Sequence, residues 1–103
     1  MHIQINPGAD MEITEPLKQY VHKSLEKVEK RFGDRITRIE AFFKDVNGPK
    51  GGVDKQCIFE ARLRGLEPEA ATGLEADAYD AVRAAAQRLE KVLENRIGRL
   101  AER

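Results

Sequence analysis

Residues 77–100 read DAYDAVRAAAQRLEKVLENRIGRL, and the apolar side chains in this segment recur every three or four positions. This period is typical of an amphipathic α-helix that turns one apolar stripe toward a core. The stripe consists of Tyr79, Val82, Ala86, Leu89, Leu93, Ile97 and Leu100. Asp77 is a suitable N-cap, so the sequence predicts a helix of about six turns that starts beside it.

A second helical pattern lies upstream, between Thr14 and Gly33. Thr14 is a good N-cap, Pro16 is tolerated in a first turn, and Gly33 can close the helix as a C-cap. The core-facing stripe consists of Leu17, Val21, Leu25, Val28 and Phe32, with Tyr20 and Ser24 beside it. We therefore predict one helix between these two caps.

The rest of the chain alternates polar and apolar residues, as half-buried strands do. The predicted strands are 2–6, 37–44, 55–64 and 70–75, and the last is the weakest because it contains Gly73. Residues 47–52 are rich in turn formers and predict a long hairpin loop between the second and third strands. The order predicts one α+β domain, 1–103, with a two-layer β-α-β-β-β-α architecture and both helices on one face of a four-stranded sheet.

Composition excludes several classes of protein. The 103 residues are 41% hydrophobic and 35% charged, which is typical of a globular domain, and the apolar runs are too short to cross a bilayer. No secretory signal pattern opens the chain, and the single Cys57 cannot form an internal disulfide. We therefore expect a cytoplasmic protein.

The charges are balanced overall, with 18 Lys and Arg against 18 Asp and Glu, but they are unevenly distributed. Residues 17–38 contain seven basic and three acidic side chains, and residues 83–103 contain six and three. A neutral chain is not an indiscriminate nucleic-acid binder, so any contact with RNA must be made by a local patch.

At about 100° per residue, the basic side chains fall into one row on each predicted helix. Lys23, Lys27 and Lys30 share a narrow arc with Arg31 beside them. Arg88, Lys91 and Arg99 share an arc on the other helix, with Arg96 at its margin. Neighbouring helices would place these rows side by side, where they could neutralise backbone phosphates. Solvated helix faces also carry Lys and Arg, so the pattern alone leaves both interpretations open.

No residue pattern indicates catalysis, a metal or a cofactor. Cys57 falls on the inward side of its strand and is expected to be a packed thiol. His2 and His22 lack metal-ligand spacing, and 48–52 lacks the Lys-Ser/Thr ending of a phosphate loop. The acidic side chains of the 65–82 stretch are interpreted as loop, strand and helix-start residues rather than a cation site. The protein is therefore not expected to be an enzyme.

Three groups of residues, taken together, resemble the short ribosome hibernation-promoting factor and ribosome-associated inhibitor family, also described as the sigma-54 modulation protein family. They are Ile13-Thr14-Glu15 with Leu17, Tyr20-Val21, Leu25, Val28 and Phe32; Asp34-Arg35-Ile36; and Asp77-Ala78-Tyr79-Asp80-Ala81-Val82 with Arg88-Leu89 and Leu93. The resemblance covers nearly the whole chain. It is to a divergent member, because Arg83 stands where the family usually has an acidic residue and the 65–82 stretch is acidic.

The resemblance implies a fold similar to double-stranded RNA-binding domains and a place between the head and body of the small ribosomal subunit. There the protein would occlude the path of mRNA and tRNA and silence idle ribosomes under stress or in stationary phase, as a monomer and without a cofactor. The family's basic residues correspond to Lys18, Lys27, Arg88 and Lys91, with Arg96 and Arg99 in the last turns. With the row on the first helix, the predicted RNA-binding set is Lys18, Lys23, Lys27, Lys30, Arg88, Lys91, Arg96 and Arg99.

Two other functions remain open from the sequence. The acidic 65–82 stretch and the 45–55 loop could bind a protein partner without any ribosome contact, in which case a pull-down would survive nuclease treatment. An isolated double-stranded RNA binder would show comparable affinity for free duplex RNA and for ribosomes.

Overall fold

A computed structural model of the protein describes residues 1–8, 11–46 and 52–101, with the side chains of 99–101 left undescribed. Its elements follow the predicted order, with the first helix divided into two. They are β1 (His2–Asn6), α1 (Glu15–Ser24), α2 (Glu26–Phe32), a 3-10 turn (Gly33–Arg35), β2 (Ile36–Asp45), β3 (Lys55–Leu63), β4 (Glu69–Glu75) and α3 (Ala78–Ala101). The predicted 45–55 loop falls in part on residues 47–51, which lie outside the described residues.

The four strands form one mixed sheet in the order β1-β2-β3-β4. β1 runs parallel to β2, and the other neighbouring pairs are antiparallel. Ala41 faces Phe59, which faces Ala71, so these three residues share one face of the sheet. All three are buried against the helices. The predicted two-layer α+β architecture is therefore confirmed.

The first predicted helix begins at its expected cap but is interrupted at Leu25. The Thr14 hydroxyl accepts a hydrogen bond from the Leu17 amide at 3.3 Å. Leu25 has ψ 0°, which separates α1 from α2. Its amide still donates to the Val21 carbonyl at 3.1 Å, and Glu29 donates to the Leu25 carbonyl at 2.9 Å. Because this hydrogen-bond ladder continues, the apolar stripe stays on one side of both segments.

The predicted core is largely confirmed. Every stripe residue of α1 and α2 is buried, as are the inward residues of β2 and β3 and Val82, Ala86, Leu89, Leu93 and Ile97 of α3. The prediction for Tyr79 is wrong, because its side chain is 38% exposed. Its ring instead packs against Tyr20, edge to face, with the centroids 5.3 Å apart. The sequence pattern also missed Ala81 and Ala85, which are buried.

Ala81 and Ala85 are buried because α3 approaches β4 very closely at Gly73. A Cβ atom at Gly73 would lie 2.0 Å from the Ala81 carbonyl oxygen and 2.8 Å from the Ala85 nitrogen. Both are backbone atoms, which cannot rotate away as a side chain could. The glycine that makes β4 a weak strand in isolation is thus what allows the helix to pack on it.

Cys57 lies on the buried face of β3, as expected for a packed thiol. Burial raises its pKa to about 12. A thiol with this pKa stays protonated at neutral pH, and the thiolate is the reactive form. Cys57 is therefore a core side chain and not a nucleophile.

The other face of the sheet is partly covered by an ion-pair network. Glu40 Oε2 accepts hydrogen bonds from Arg62 Nε and from Arg38 Nη2, both at 3.2 Å. Arg62 also pairs with Glu60 at 3.2 Å. The hydrogen bond from Arg62, followed by the charges of both arginines, holds the pKa of the Glu40 carboxyl below its ordinary value.

Glu40 therefore makes stability depend on pH in the acid range. A carboxyl group with a lowered pKa stabilises the fold above its ordinary pKa, and this contribution is lost as the pH falls through the folded-state value. Arg62→Gln removes the largest cause of the shift. We expect the variant to be less stable than the wild type at pH 7 and the difference to shrink toward pH 3, as measured by urea midpoints. Arg64→Gln, at an exposed arginine, should show no such trend.

None of the helices in the described ranges is long and apolar enough to cross a membrane.

Candidate nucleic-acid interface

A groove of about 310 Å³ runs between the first helical segments and α3. α1 and α2 contribute Tyr20, Lys23, Ser24, Lys27 and Val28, and α3 contributes Arg83, Ala86, Gln87 and Glu90. We call this surface the interhelical groove. Val28 and Ala86 are buried and form its apolar floor, whereas Lys23, Lys27 and Arg83 are exposed at its rim.

Helix periodicity explains why these side chains meet. Lys23 and Lys27 are four residues apart, so they lie one turn from each other on the same side of the helix. Arg83, Gln87 and Glu90 are spaced by four and three residues on α3 and likewise share a side. The two stripes of apolar residues dock both helices on the sheet, and this docking brings the flanks together.

Two of the cations at the rim of the groove, Lys23 and Lys27, have no matching carboxylate among the described residues. The acidic groups nearest on α3 are engaged by Arg31, which lies 3.4 Å from Glu90 and 3.8 Å from Glu94. Arg31 also packs over the Phe32 ring at 4.8 Å, which fixes its position. The two lysines therefore remain available to an anion.

Lys30 and Lys91 extend this cationic surface. Lys30 is seven residues after Lys23 and so lies on nearly the same line along the helix. Lys91 lies four residues after Gln87, one turn farther along α3. Both side chains are exposed, and neither has an ion-pair partner in the described part of the chain.

The remaining predicted residues lie elsewhere. Arg88 donates from Nη1 to the Thr72 carbonyl oxygen at 2.6 Å, and Arg96 contacts Glu69 at the same distance. Both partners belong to β4, so these arginines extend along the flank of α3 that faces away from the groove. The expectation of two adjoining rows is corrected here for the described side chains. Arg88 and Arg96 turn toward the sheet edge, and of the described members of the second row Lys91 alone lies beside the groove.

Lys18 is also separate from the groove. It is nine residues before Lys27, which places the two on opposite sides of the helix at about 100° per residue. Its ammonium group pairs with Glu15 at 3.3 Å. The side chain of Arg99 lies outside the described residues.

Sequence reasoning did not select Tyr20 and Arg83 as site residues. Tyr20 was placed beside the core stripe, but it lines the groove and is braced by Tyr79. In the sequence Arg83 stands out as a departure from the family pattern, and the structure places it at the rim, where it pairs with Asp80 at 2.7 Å. Its spacing of four residues from Gln87 and seven from Glu90 predicts that the three side chains share one side of the helix.

Most acidic side chains of the 65–82 stretch have partners within the protein. Asp77 is confirmed as the cap of α3, since its carboxylate accepts from the Tyr79 amide at 2.7 Å and the Asp80 amide at 3.4 Å. Asp80 pairs with Arg83, and Glu69 pairs with Arg96. These contacts give three of the five acidic side chains in the stretch a structural role.

A four-stranded mixed sheet with helices on one face and a cationic helical surface defines a small two-layer α+β domain. The sequence profile of the family described as sigma 54 modulation protein / S30EA ribosomal protein matches residues 4–101. The chain belongs to this family, which confirms the resemblance found in its sequence.

Two solved structures have the same fold. A ribosomal subunit interface protein from Coxiella burnetii is 24% identical and superposes with a TM-score of 0.78, over 95% of this chain and 99% of that one. The N-terminal domain of Protein Y from Thermus thermophilus is 20% identical, with a TM-score of 0.69 over 91% of this chain and 93% of that one. None of the curated proteins compared with the chain matches it significantly.

Proposed function

We propose that the protein binds the small ribosomal subunit in the cytoplasm and prevents translation by occupying the path of mRNA and tRNA. The observation that carries this proposal is the cationic surface formed by Lys23, Lys27, Lys30 and Lys91, none of which has an ion-pair partner among the described residues. Membership in a ribosomal protein family and the subunit interface protein among its structural neighbours support the choice of partner.

The mechanism needs no chemistry beyond binding and exclusion. Lysine ammonium groups neutralise RNA phosphates and release condensed counterions, which supplies affinity. The body measures 49 × 22 × 19 Å, so a bound molecule fills space that another RNA would otherwise use. Its packed two-layer core gives it a fixed shape, so it would exclude other ligands from the volume that it occupies. The protein would act as a monomer and without a cofactor.

Binding should weaken steeply with salt. These four lysines would each contact about one phosphate. The logarithm of the association constant should therefore fall with the logarithm of salt concentration with a slope of about −3. Cosedimentation of the protein with purified small subunits, repeated over a salt series, measures this slope. A slope near zero would show that the attachment is not electrostatic.

A competition experiment tests the occlusion step separately. Small subunits already loaded with mRNA and tRNA should pellet much less protein than empty subunits at the same salt concentration. Equal pelleting by loaded and empty subunits would contradict occlusion while leaving binding intact. Free duplex RNA serves as the control, because comparable affinity for it would indicate a general double-stranded RNA binder.

A further inference from the structure

We propose that the interhelical groove receives a single unpaired nucleotide of the bound RNA. Its base would rest on the apolar floor, and its phosphate would lie at the rim between Lys23 and Lys27. This inference rests on the proposed function and adds to it a mode of recognition. Lysines on a plain helix surface would contact phosphates only, whereas a groove with an apolar floor also accepts a base.

The size and lining of the groove fit this occupant. Its volume of about 310 Å³ is at the small end of ligand sites, enough for one nucleotide but not for a folded segment. The floor of Val28 and Ala86 offers apolar contact to a ring face. Tyr20 forms one wall, and its edge-to-face contact with Tyr79, at an interplanar angle of 64°, holds the ring in place. Proteins commonly receive unstacked RNA bases against such aromatic side chains.

The polar groups inside the groove suit the edge of a base. The Ser24 hydroxyl and the Gln87 amide can each donate and accept hydrogen bonds, and the Glu90 carboxylate accepts only. Nucleobase edges present donors and acceptors side by side, so such a mixed set matches them. Arg31 lies 3.4 Å from Glu90 Oε2 and partly offsets the negative charge of this carboxylate.

Charge and continuity favour a nucleotide within an RNA chain over a free nucleotide. Lys23 and Lys27 provide two cations at the rim that no described carboxylate pairs with, and Lys30 continues their line beyond the groove. A free nucleotide would use only the groove. An RNA strand can also place its neighbouring phosphates on Lys30 and on Lys91.

Filling the groove without changing charge tests the proposal. Ser24→Leu and Gln87→Leu each project an apolar chain into it, from opposite walls. Each should weaken binding to small subunits about tenfold, roughly the contribution of one stacked base, and leave the salt slope unchanged. Gln4→Leu, an equivalent change at an exposed position on β1, should bind as the wild type does. Thermal unfolding of each variant verifies that it is folded.

Chemical probing of the ribosomal RNA gives a second readout. Wild-type protein should change the reactivity of one unpaired nucleotide. Ser24→Leu at saturating concentration should leave that nucleotide unchanged and should otherwise give the same footprint as the wild type. Wild-type affinity and an identical footprint for both filled variants would overturn the groove assignment and leave ribosome binding standing. Absence of binding by the wild type would instead overturn the proposed function. If the free protein bound a nucleoside monophosphate saturably and Ser24→Leu abolished this binding, the groove would be a site for a free nucleotide. That result would overturn the assignment of the occupant to an RNA chain.

Discussion

Replacing both Lys23 and Lys27 with glutamate is expected to weaken binding to small ribosomal subunits by about two orders of magnitude at low salt. These lysines lie one turn apart at the rim of the interhelical groove and have no carboxylate partner among the described residues. Reversal therefore removes two phosphate contacts and adds two repulsions. The slope of affinity against salt should also become shallower by about two, because one counterion is released for each phosphate contact.

The matched control changes the net charge equally on another surface. Lys44 lies on β2 and Arg64 lies just after β3; both are exposed, and neither lines the interhelical groove. Replacing both with glutamate should change affinity little. Cosedimentation and a direct affinity measurement compare the two double variants. An equal loss of affinity in both would mean that overall charge, and not this helical surface, governs binding.

Gly73→Ala should have the largest effect on stability of any single methyl group added to the described core. The new Cβ would meet the Ala81 carbonyl oxygen at 2.0 Å, so α3 must move away from β4 as a unit. Overpacking typically costs about 1–3 kcal/mol, and a clash with fixed backbone belongs at the upper end, about 3 kcal/mol. That is a large share of the total stability of a small domain, and Gly73→Val should fail to fold.

Urea unfolding followed by circular dichroism measures the change, with Gly98→Ala as the control. A Cβ atom at Gly98, within α3, would meet nothing within 4 Å. Alanine in a helix interior is more favourable than glycine, so this variant should gain about 0.5–1 kcal/mol. The two substitutions add the same methyl group and should act in opposite directions. A Gly73→Ala protein as stable as the wild type would refute the close approach of α3 to β4.

The fold was predictable because its strands and helices have strong periods. Alternation placed β1 at His2–Asn6, and the other strands fell within a residue or so of their positions. The interruption at Leu25 had no signal, since leucine is a good helix former and its stripe continues in phase. The burial of Ala81 and Ala85 was also missed, because it depends on Gly73 in a different element.

The candidate site was less predictable than the fold. Helix periodicity grouped Lys23 with Lys27, and both line the groove, because the hydrogen-bond ladder continues from α1 into α2. It could not show that Arg88 and Arg96 turn toward β4, because their partners, the Thr72 carbonyl and the Glu69 carboxylate, are sixteen and twenty-seven residues away in sequence. The groove itself depends on how closely two helices dock, and no pattern within one helix contains that distance.

The contact between Arg88 and Thr72 bears on how the protein behaves in a crowded cell. β4 is an outer strand of the sheet, and a bare outer strand invites the same strand of a neighbouring molecule to pair with it. A guanidinium group bound to one of its carbonyl oxygens obstructs such pairing. Loss of Arg88 would then make the protein prone to self-association as its concentration rises, and an apparent defect in RNA binding by such a variant would need to be separated from aggregation.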